Sequence, residues 1–219
     1  MSDIAQVNRL LASVYGDRPW RSRNDPLSEL VTIILSQNTS DVNSFRAYDS
    51  LKECFPSWIE VAQADASQIE EAIRSGGLSK VKASRIKVIL NLILKERGDL
   101  SLDFLADLPL DEAKAWLQRL PGVGPKTVAC VLLFSLGRPV FPVDTHVYRV
   151  AKRLGFISNG ISVEQAHRVL GEMIPDEDVY RMHMNMVDHG RKICKSQKPK
   201  CPECVLKEIC PWMQNVSGN

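Results

Sequence analysis

The stretch L-P-G-V-G-P-K at residues 120–126 constrains this 219-residue chain more than any other feature of its sequence. It places a Pro-Gly-x-Gly turn between two helical patterns, and proline and glycine there interrupt the helix. The preceding residues 111–118 are mostly helix formers, with Asp111 predicted at or near the N-cap. The following residues 127–136 are almost uniformly apolar and end at Gly137, which is typical of a left-handed C-terminal cap. The pattern predicts helix, hairpin, helix.

The two glycines of the hairpin permit a close approach by an outside group, because no Cβ stands in the way. The amides from Gly122 to Gly124 would point outward at the positive end of the second helix, and that arrangement suits a phosphate. The alternative is that Pro121 and the glycines only make a turn between two packed helices. Lys126 favours phosphate binding, because a cation in a first helical turn opposes the dipole and suggests a function.

Lys126 also has a possible chemical use. A positive helix end and partial burial both disfavour the ammonium form, which leaves a free amine available as a nucleophile. The alternative is a lysine that simply contacts phosphate. The position of Lys126 in the sequence does not distinguish a nucleophile from a phosphate contact.

Composition bounds the class of protein. A chain of this length suits one large domain or two small interleaved ones. The net charge of +2 and the pI of about 8.2 give weak support for a polyanionic partner, so a nucleic-acid surface requires local clustering of basic residues. There is no run of 18 apolar residues and no signal-peptide pattern. We therefore expect a soluble, cytoplasmic protein that does not enter membranes.

Apolar spacing predicts helices throughout and little strand. Asp25 followed by Pro26 marks a helix start, and Ser162 with Gln165 forms a predicted capping box. The fold class predicted is all-α, built from many short helices. The remaining helices are expected at residues 4–15, 41–54, 57–63, 67–74, 79–97, 101–105, 145–154, 162–173 and 176–189.

Asp144 lies in the segment F-P-V-D-T-H, directly before a helical pattern. Its simplest interpretation is an ordinary N-cap. The preceding residues 139–143 are apolar and predicted to be extended, so the carboxylate could also sit in a dry place at a cleft. There it could stabilise positive charge developing on a sugar, or move a proton. His146 is expected to bond a neighbouring backbone group and to be structural.

Four cysteines near the C-terminus give the spacing C-x6-C-x2-C-x5-C. Thiols clustered in this way in an intracellular chain favour metal binding over disulfides. Zinc usually takes two close Cys pairs, and only one is present, so the spacing favours an iron-sulfur cluster without excluding zinc. Cys54 and Cys130 are predicted to be buried as small hydrophobes. The four candidate ligands are Cys194, Cys201, Cys204 and Cys210.

Basic residues surround the first of these cysteines. Five lysines and arginines and no acid lie between residues 191 and 200, and Lys195 and Lys198 fall inside the six-residue loop. A metal would fix that loop and make it a plausible phosphate-binding surface. Alternatively, these lysines only offset the charge of the cluster and stay solvated.

The hairpin, the aspartate of V-D-T-H eighteen residues after Lys126, and the cysteine pattern occur in a fixed order. Together they resemble endonuclease III, of the helix-hairpin-helix DNA glycosylase superfamily, from about Asp25 to Cys210. The resemblance implies two helical lobes and a [4Fe-4S] cluster held by the four cysteines. One lobe is a six-helix barrel at residues 26–138, and the other comprises residues 1–25 and 139–219. Double-stranded DNA with a damaged base or abasic site would lie between the lobes.

The resemblance makes Lys126 and Asp144 catalytic. A damaged base is flipped out of the duplex, Lys126 attacks the sugar C1′ as the base leaves, and Asp144 assists. The resulting Schiff base collapses by β-elimination and nicks the strand. In the hairpin, the residues implied to contact DNA are Pro121, Gly122, Val123, Gly124 and Thr127.

Two further segments are similar to DNA-contacting loops of the family. In L-S-Q-N-T-S-D, Asn38 falls on the position of a glutamine that fills the hole left by the flipped base, with Gln37 beside it. This departure leaves the base preference open. In S-G-G-L-S-K, Leu78 would be an apolar wedge. The alternative is a helix cap at Gly76 and Gly77 with Leu78 packed inward.

Three hypotheses follow. The first is a bifunctional glycosylase and lyase acting on oxidised pyrimidines. The second is a sibling enzyme that removes thymine, uracil or another modified pyrimidine from mismatches. The third is a non-catalytic DNA-binding module with a structural metal. A monomer is expected, because no heptad pattern or large apolar stripe is evident.

Overall fold

The structure, a computed structural model, describes residues 3–216. Within these residues all regular structure is helical, in twelve α-helices and four 3-10 turns, and no strand is present. The prediction of an all-α fold is confirmed. None of the described helices is long and apolar enough to cross a membrane.

The chain divides into two compact units. The central unit comprises residues 22–138. The terminal unit comprises residues 1–21 and 139–219, which the chain ends build together. The first two and last three residues, which the sequence assigns to the second lobe, lie outside the described part.

The central unit contains seven of the described helices. Pro26–Ser36 starts as predicted, because the Asp25 carboxylate accepts a hydrogen bond from the Ser28 amide and Pro26 occupies the first turn. The helices are α2 (Pro26–Ser36), α3 (Asp41–Cys54), α4 (Trp58–Gln63), α5 (Ala66–Ala72), α6 (Ser79–Arg97), α7 (Leu110–Gln118) and α8 (Pro125–Leu136).

The core of the central unit forms around α8, in which every residue from Thr127 to Ser135 is buried. A helix that is apolar on all sides has to be surrounded by other elements, and α2 packs along it. Gly137 ends the helix in the left-handed conformation, with φ of 65°. Its amide donates to the Leu133 carbonyl, as the sequence predicts for a C-terminal cap.

In the terminal unit, α11 (Val179–Lys192) packs against α1 (Ile4–Tyr15) and α9 (Thr145–Arg153). Gly190 of α11 lies against α9 so closely that a Cβ there would come 2.8 Å from the Cβ of His146. The predicted capping box at Ser162 and Gln165 is present. The helices are α1 (Ile4–Tyr15), α9 (Thr145–Arg153), α10 (Val163–Met173), α11 (Val179–Lys192) and α12 (Pro211–Val216).

The structure corrects several local predictions and refines one. Asp111 lies in the first turn of α7, near the N-cap as predicted, and Pro109 occupies the cap itself. Residues 103–106 form a 3-10 turn where a helix was expected. A second 3-10 turn at Asp176–Asp178 precedes α11. Cys130 is buried as predicted, but Cys54 is exposed because it is the last residue of α3, beyond the positions that this helix buries.

Candidate functional site

The hairpin between α7 and α8 presents its glycines to solvent. Gly122 and Gly124 are exposed, and Gly122 adopts a φ of 74°, a conformation that favours glycine. Val123 points inward with 6% exposure, and its amide donates to the Leu120 carbonyl. The prediction that the Val123 amide points outward is therefore wrong, because the turn itself uses that donor.

The N-terminus of α8 carries no side-chain cap, because Gly124 occupies the N-cap and Pro125 follows it. The first-turn amides of Lys126 and Thr127 therefore have no capping acceptor and are available to an anion. The Thr127 side chain is buried, so only its backbone could serve such a contact. The backbone donors that are free for an anion thus lie at the start of α8, one to two residues beyond the predicted stretch 122–124.

Lys126 lies in the first turn of α8 and is half-buried. Within the described central unit, its ammonium has no hydrogen-bond or ion-pair partner. A cation placed at the positive end of a helix without a compensating carboxylate opposes the dipole, and so contributes nothing to the stability of α8. The structure thus leaves Lys126 positioned for a role outside its own unit's fold.

Arg85 and Gln37 contact the hairpin at Gly122. The Arg85 guanidinium lies so close to Gly122 that a Cβ on this glycine would come 2.4 Å from its Cζ. Arg85 also donates to Gln37 Oε1 at 2.6 Å, and the side-chain Nε2 of Gln37 donates to the Gly122 carbonyl at 3.3 Å. Gln37 is therefore engaged within the protein, whereas Asn38 beside it is exposed.

Asn38 and Leu78 lie in two loops that touch each other, the α2–α3 loop (residues 37–40) and the α5–α6 loop (residues 73–78). Thr39 donates from its hydroxyl to the Gly76 carbonyl across this junction. Leu78 is 58% exposed, so the alternative in which it packs inward is wrong. The wedge role of Leu78 stays a prediction, and its side chain has the exposure that such a role needs.

Asp144 is the N-cap of α9 in the terminal unit, and its Oδ1 accepts from the Val147 amide at 2.7 Å. The segment before it contains Phe141, Pro142 and Val143, all buried. Backbone carbonyls of this segment meet two histidines, since His167 lies 3.2 Å from the Phe141 oxygen and His183 lies 2.9 Å from the Pro142 oxygen. The half-buried Asp144 carboxylate is thereby held in a fixed place.

Helix α9 connects this aspartate to the cysteine-rich segment. Arg149 donates to the backbone carbonyls of Gly190 and Cys194 at 2.8 and 2.9 Å. It also lies 3.1 Å from Nδ1 of His146, whose partner is this side chain and not a backbone group as we expected. One turn later, Arg153 donates to Cys194 Sγ at 3.1 Å and to the Lys195 carbonyl at 2.8 Å.

The four C-terminal cysteines line one cavity in the terminal unit. Arg153, His189 and Trp212 are also part of its wall. In residues 3–216, no three His, Cys, Asp or Glu side chains are arranged to hold a metal ion. The four thiols line the same space, and four thiolates are the ligand set that a [4Fe-4S] cluster takes.

Hydrogen-bond donors face the sulfur atoms of this cavity. The Leu206 amide donates to Cys204 Sγ at 3.4 Å, and His189 Nε2 lies 3.5 Å from the same sulfur. Tyr15 lies 3.1 Å from the other ring nitrogen of His189. Such donors orient and stabilise thiolate ligands. The residues present therefore fit an iron-sulfur cluster.

Burial sets the protonation of these groups. It lowers the pKa of His189 to about 4, so the ring is neutral, and one of its nitrogens donates while the other accepts. Burial and the neighbouring thiols raise the pKa of Cys204 to about 11, although the Leu206 amide lowers it. Burial also raises the pKa of Cys201. A thiolate-binding metal would have to displace these protons.

The loop between Cys194 and Cys201 exposes its basic side chains. In this loop Lys200 pairs with Glu203, with a nitrogen–oxygen distance of 3.4 Å. Lys192, which precedes the loop at the end of α11, pairs with Asp188 at 3.3 Å. Lys195 and Lys198 are exposed and have no side-chain partner among the described residues. These two lysines are therefore the members of the basic loop that are free to bind an anion.

Sequence reasoning missed the residues that hold the functional segments in place. Lys82, Arg85, Arg149 and Arg153 each contact a predicted site segment. One signal was available for Lys82, because it shares helical spacing with three buried isoleucines and so falls on the core face of α6. The partners of the arginines lie up to 48 residues away, and no local pattern marks them.

Comparisons with known proteins place the chain in a family. The model of the HhH-GPD superfamily, base excision DNA repair proteins, matches residues 31–176. A candidate DNA glycosylase of Arabidopsis thaliana is 46% identical over 84% of this chain, which spans 63% of that protein. Endonuclease III of Thermotoga maritima is 34% identical over 86% of this chain and 84% of its own length.

A solved structure shares the fold over nearly the whole chain. It is a trapped endonuclease III–DNA covalent intermediate, with a TM-score of 0.83 and 30% identity over 98% of this chain and 97% of that chain. The protein described here belongs to the HhH-GPD superfamily of base excision DNA repair proteins. Within this superfamily it is a helix-hairpin-helix glycosylase of the endonuclease III type.

Gly124→Ala tests whether the hairpin approaches a phosphate. A Cβ at Gly124 meets nothing within 4 Å and φ is −97°, so the substitution should leave the fold intact. It should nevertheless weaken duplex DNA binding about tenfold, because the methyl group obstructs hydrogen bonds to a charged group worth ~1.5 kcal/mol or more. Fluorescence anisotropy with a labelled duplex measures the affinity.

The matched control is Gly171→Ala in α10, where a Cβ also meets nothing within 4 Å. This variant should bind DNA as the wild type does. Unchanged affinity in Gly124→Ala would mean that the hairpin glycines serve only the turn.

Proposed function

We propose that this protein is a bifunctional DNA N-glycosylase and abasic-site lyase that acts on oxidised pyrimidines in double-stranded DNA. The observation that carries the proposal is the half-buried Lys126 at the uncapped N-terminus of α8, where no residue of its unit neutralises it. An anion-binding helix end and a nucleophilic amine in consecutive positions suit attack on a deoxyribose held by its phosphates.

The proposed reaction begins with extrusion of the damaged base, whose cost falls when the base is poorly paired or stacked. The Nζ of Lys126 attacks C1′, the C1′–N bond breaks, and the base departs with the bonding electrons and takes up the proton that the amine loses. Opening of the sugar gives a Schiff base between Lys126 and C1′. Loss of a proton from C2′ then expels the 3′ phosphate, so the strand is nicked 3′ to the lesion.

Asp144 has two compatible roles in this proposal. Its Oδ1 caps α9, which fixes the side chain, and the second carboxylate oxygen stays available for chemistry. A fixed negative charge stabilises the positive charge that develops on the sugar as the base leaves. The N-cap interpretation and the catalytic interpretation are therefore not exclusive.

A second candidate function is removal of thymine or uracil from mismatches. The observation that favours it is Asn38, which stands exposed at the position where the resemblance expects glutamine. Asparagine is one methylene shorter, so it reaches less far into the space left by an extruded base. The choice of opposite base would change accordingly. A non-catalytic module is disfavoured, because the chain belongs to a superfamily of base excision DNA repair proteins.

The test is incubation with duplexes that contain thymine glycol, a G·T mismatch, a G·U mismatch or an abasic site, with and without borohydride. Nicks and trapped adducts on the thymine glycol and abasic duplexes are expected. Lys126→Gln should bind DNA normally but give no adduct, because the α8 amides stay in place. Asp144→Asn should keep the N-cap and slow nicking by ~10²–10⁴-fold.

The outcomes separate the hypotheses. Cleavage confined to the mismatched duplexes would move the assignment to the second candidate. No adduct with any duplex, under conditions that trap a known lyase, would leave Lys126 as a phosphate contact in a binding module.

A monomer is proposed as the active species, and light scattering of the wild-type complex with DNA checks it.

The four cysteines are proposed to hold a [4Fe-4S] cluster. Bound there, it would pin the segment from Cys194 to Cys210 to α9 and α11 and would supply a redox-capable centre. The purified protein should be brown and contain iron and sulfide in equal amounts. Cys204→Ser should bleach it and lower its thermal stability. A colourless wild-type protein with stoichiometric zinc would contradict this proposal.

Lys195 and Lys198 are proposed to bind DNA phosphates, because both are exposed without a side-chain partner. Replacing both by Ala should reduce the slope of log K against log salt by about 0.9 for each phosphate that the variant no longer neutralises. The control is replacement of Lys200 by Ala, since this lysine already pairs with Glu203. An unchanged slope in the double variant would leave these lysines as solvated charges.

A further inference from the structure

Lys82 is the largest charged side chain in the core of the central unit. It lies on α6 with 2% exposure, on the same face as the buried Ile86 and Ile89. No carboxylate of the described central unit pairs with its ammonium. Burial and the nearby Arg85 charge both lower its pKa, which shows how unfavourable this position is for a cation. A buried charge without an ionic partner needs a reason to be there.

The ammonium of Lys82 joins two segments that are far apart in sequence. Its Nζ donates to the Leu35 carbonyl at 2.7 Å and to the Gly76 carbonyl at 2.8 Å. Leu35 lies in the last turn of α2, where carbonyls have no partner within the helix. Gly76 belongs to the α5–α6 loop. One side chain thus binds the start of the α2–α3 loop to the α5–α6 loop.

The two loops fit tightly at this junction. Thr39 donates to the same Gly76 carbonyl. A Cβ at Gly76 would lie 3.0 Å from the Ala47 Cβ, and one at Gly77 would lie 3.2 Å from Thr39 Oγ1. The α5–α6 loop therefore packs closely against Thr39 of the other loop and against α3.

Each of the two loops contains one residue with a strained backbone, Asn38 in the α2–α3 loop and Leu78 in the α5–α6 loop. Within the described chain only three residues other than glycine have a positive φ, and Asn38 at 52° and Leu78 at 49° are two of them. A left-handed leucine is uncommon, and such a conformation persists only where the surroundings enforce it. Both side chains are exposed.

We infer that Lys82 is a positioning residue that holds the α2–α3 and α5–α6 loops in one arrangement, so that Asn38 and Leu78 enter the base stack together. This inference rests on the proposed function, and it assigns Lys82 to the extrusion of the base. Lys82 has no part in the chemistry at Lys126. It acts through two backbone carbonyls and does not itself touch DNA.

Lys82→Met tests the inference, because methionine keeps an unbranched buried stem and removes the donors. Cleavage of a damaged-base duplex should slow by about 10²-fold, as expected for misplaced groups. Nicking of abasic DNA, which has no base to extrude, should change by less than about threefold. Single-turnover rates on the two substrates give this ratio, which a general loss of stability would not change.

The matched control is Lys87→Met. Lys87 is on the same helix and also donates to a backbone carbonyl, that of Ala64, at 2.6 Å. Neither Lys87 nor Ala64 belongs to either loop, so its substitution should leave the ratio of rates unchanged. If Lys82→Met does not fold, Thr39→Val removes the other bond to Gly76 and should shift the ratio in the same direction by a smaller factor.

Hydrogen exchange gives a second measurement that does not depend on activity. The Gln37 and Thr39 amides donate to carbonyls in the last turn of α2, and the Gly76 amide donates to the Ile73 carbonyl in its own loop. They should exchange faster in Lys82→Met than in the wild type, and at wild-type rates in Lys87→Met. Unchanged exchange, an unchanged ratio, or equal slowing on both substrates would overturn the inference. If the wild type cleaves no damaged-base duplex, the proposed function fails, and the exchange rates alone decide whether Lys82 holds the loops.

Discussion

The burial of α8 is the constraint on which the central unit depends. Every residue from Thr127 to Ser135 is out of solvent, so the helix has to be surrounded, and only its ends can reach the surface. Its N-terminal end does so at the hairpin, without a capping side chain and with Lys126 in the first turn. The same packing that stabilises the unit therefore exposes a helix terminus suited to an anion next to an amine.

The terminal unit uses a different device to hold its carboxylate. Asp144 caps α9, while the buried segment before it is held at Phe141 and Pro142 by histidines of α10 and α11. Further along α9, Arg153 reaches the cysteine-lined cavity. A single helix thus connects the candidate catalytic carboxylate to the candidate cluster, which gives the cysteine-rich segment a structural role even without redox chemistry.

Strain and burial costs in the central unit concentrate at one place. The two loops that present Asn38 and Leu78 meet over a buried lysine, and each loop contains a left-handed residue other than glycine. A protein that needed only stability would favour an apolar side chain at position 82. The buried charge and the strained backbone both occur at loops that are predicted to contact DNA. This agrees with the general tendency of strain to accompany function.

The sequence by itself determined the all-α class, most helix bounds, the hairpin, and the grouping of four cysteines, because these depend on spacing within a few residues. It also determined the N-caps at Asp25, Asp144 and Ser162, whose acceptors bond amides three residues on. Tertiary structure alone decided which amides of the hairpin are free, that Leu78 points outward and that Cys54 is exposed. It also decided that Lys82 joins carbonyls 47 and 6 residues away, since a buried cation finds its acceptors only once distant segments pack around it.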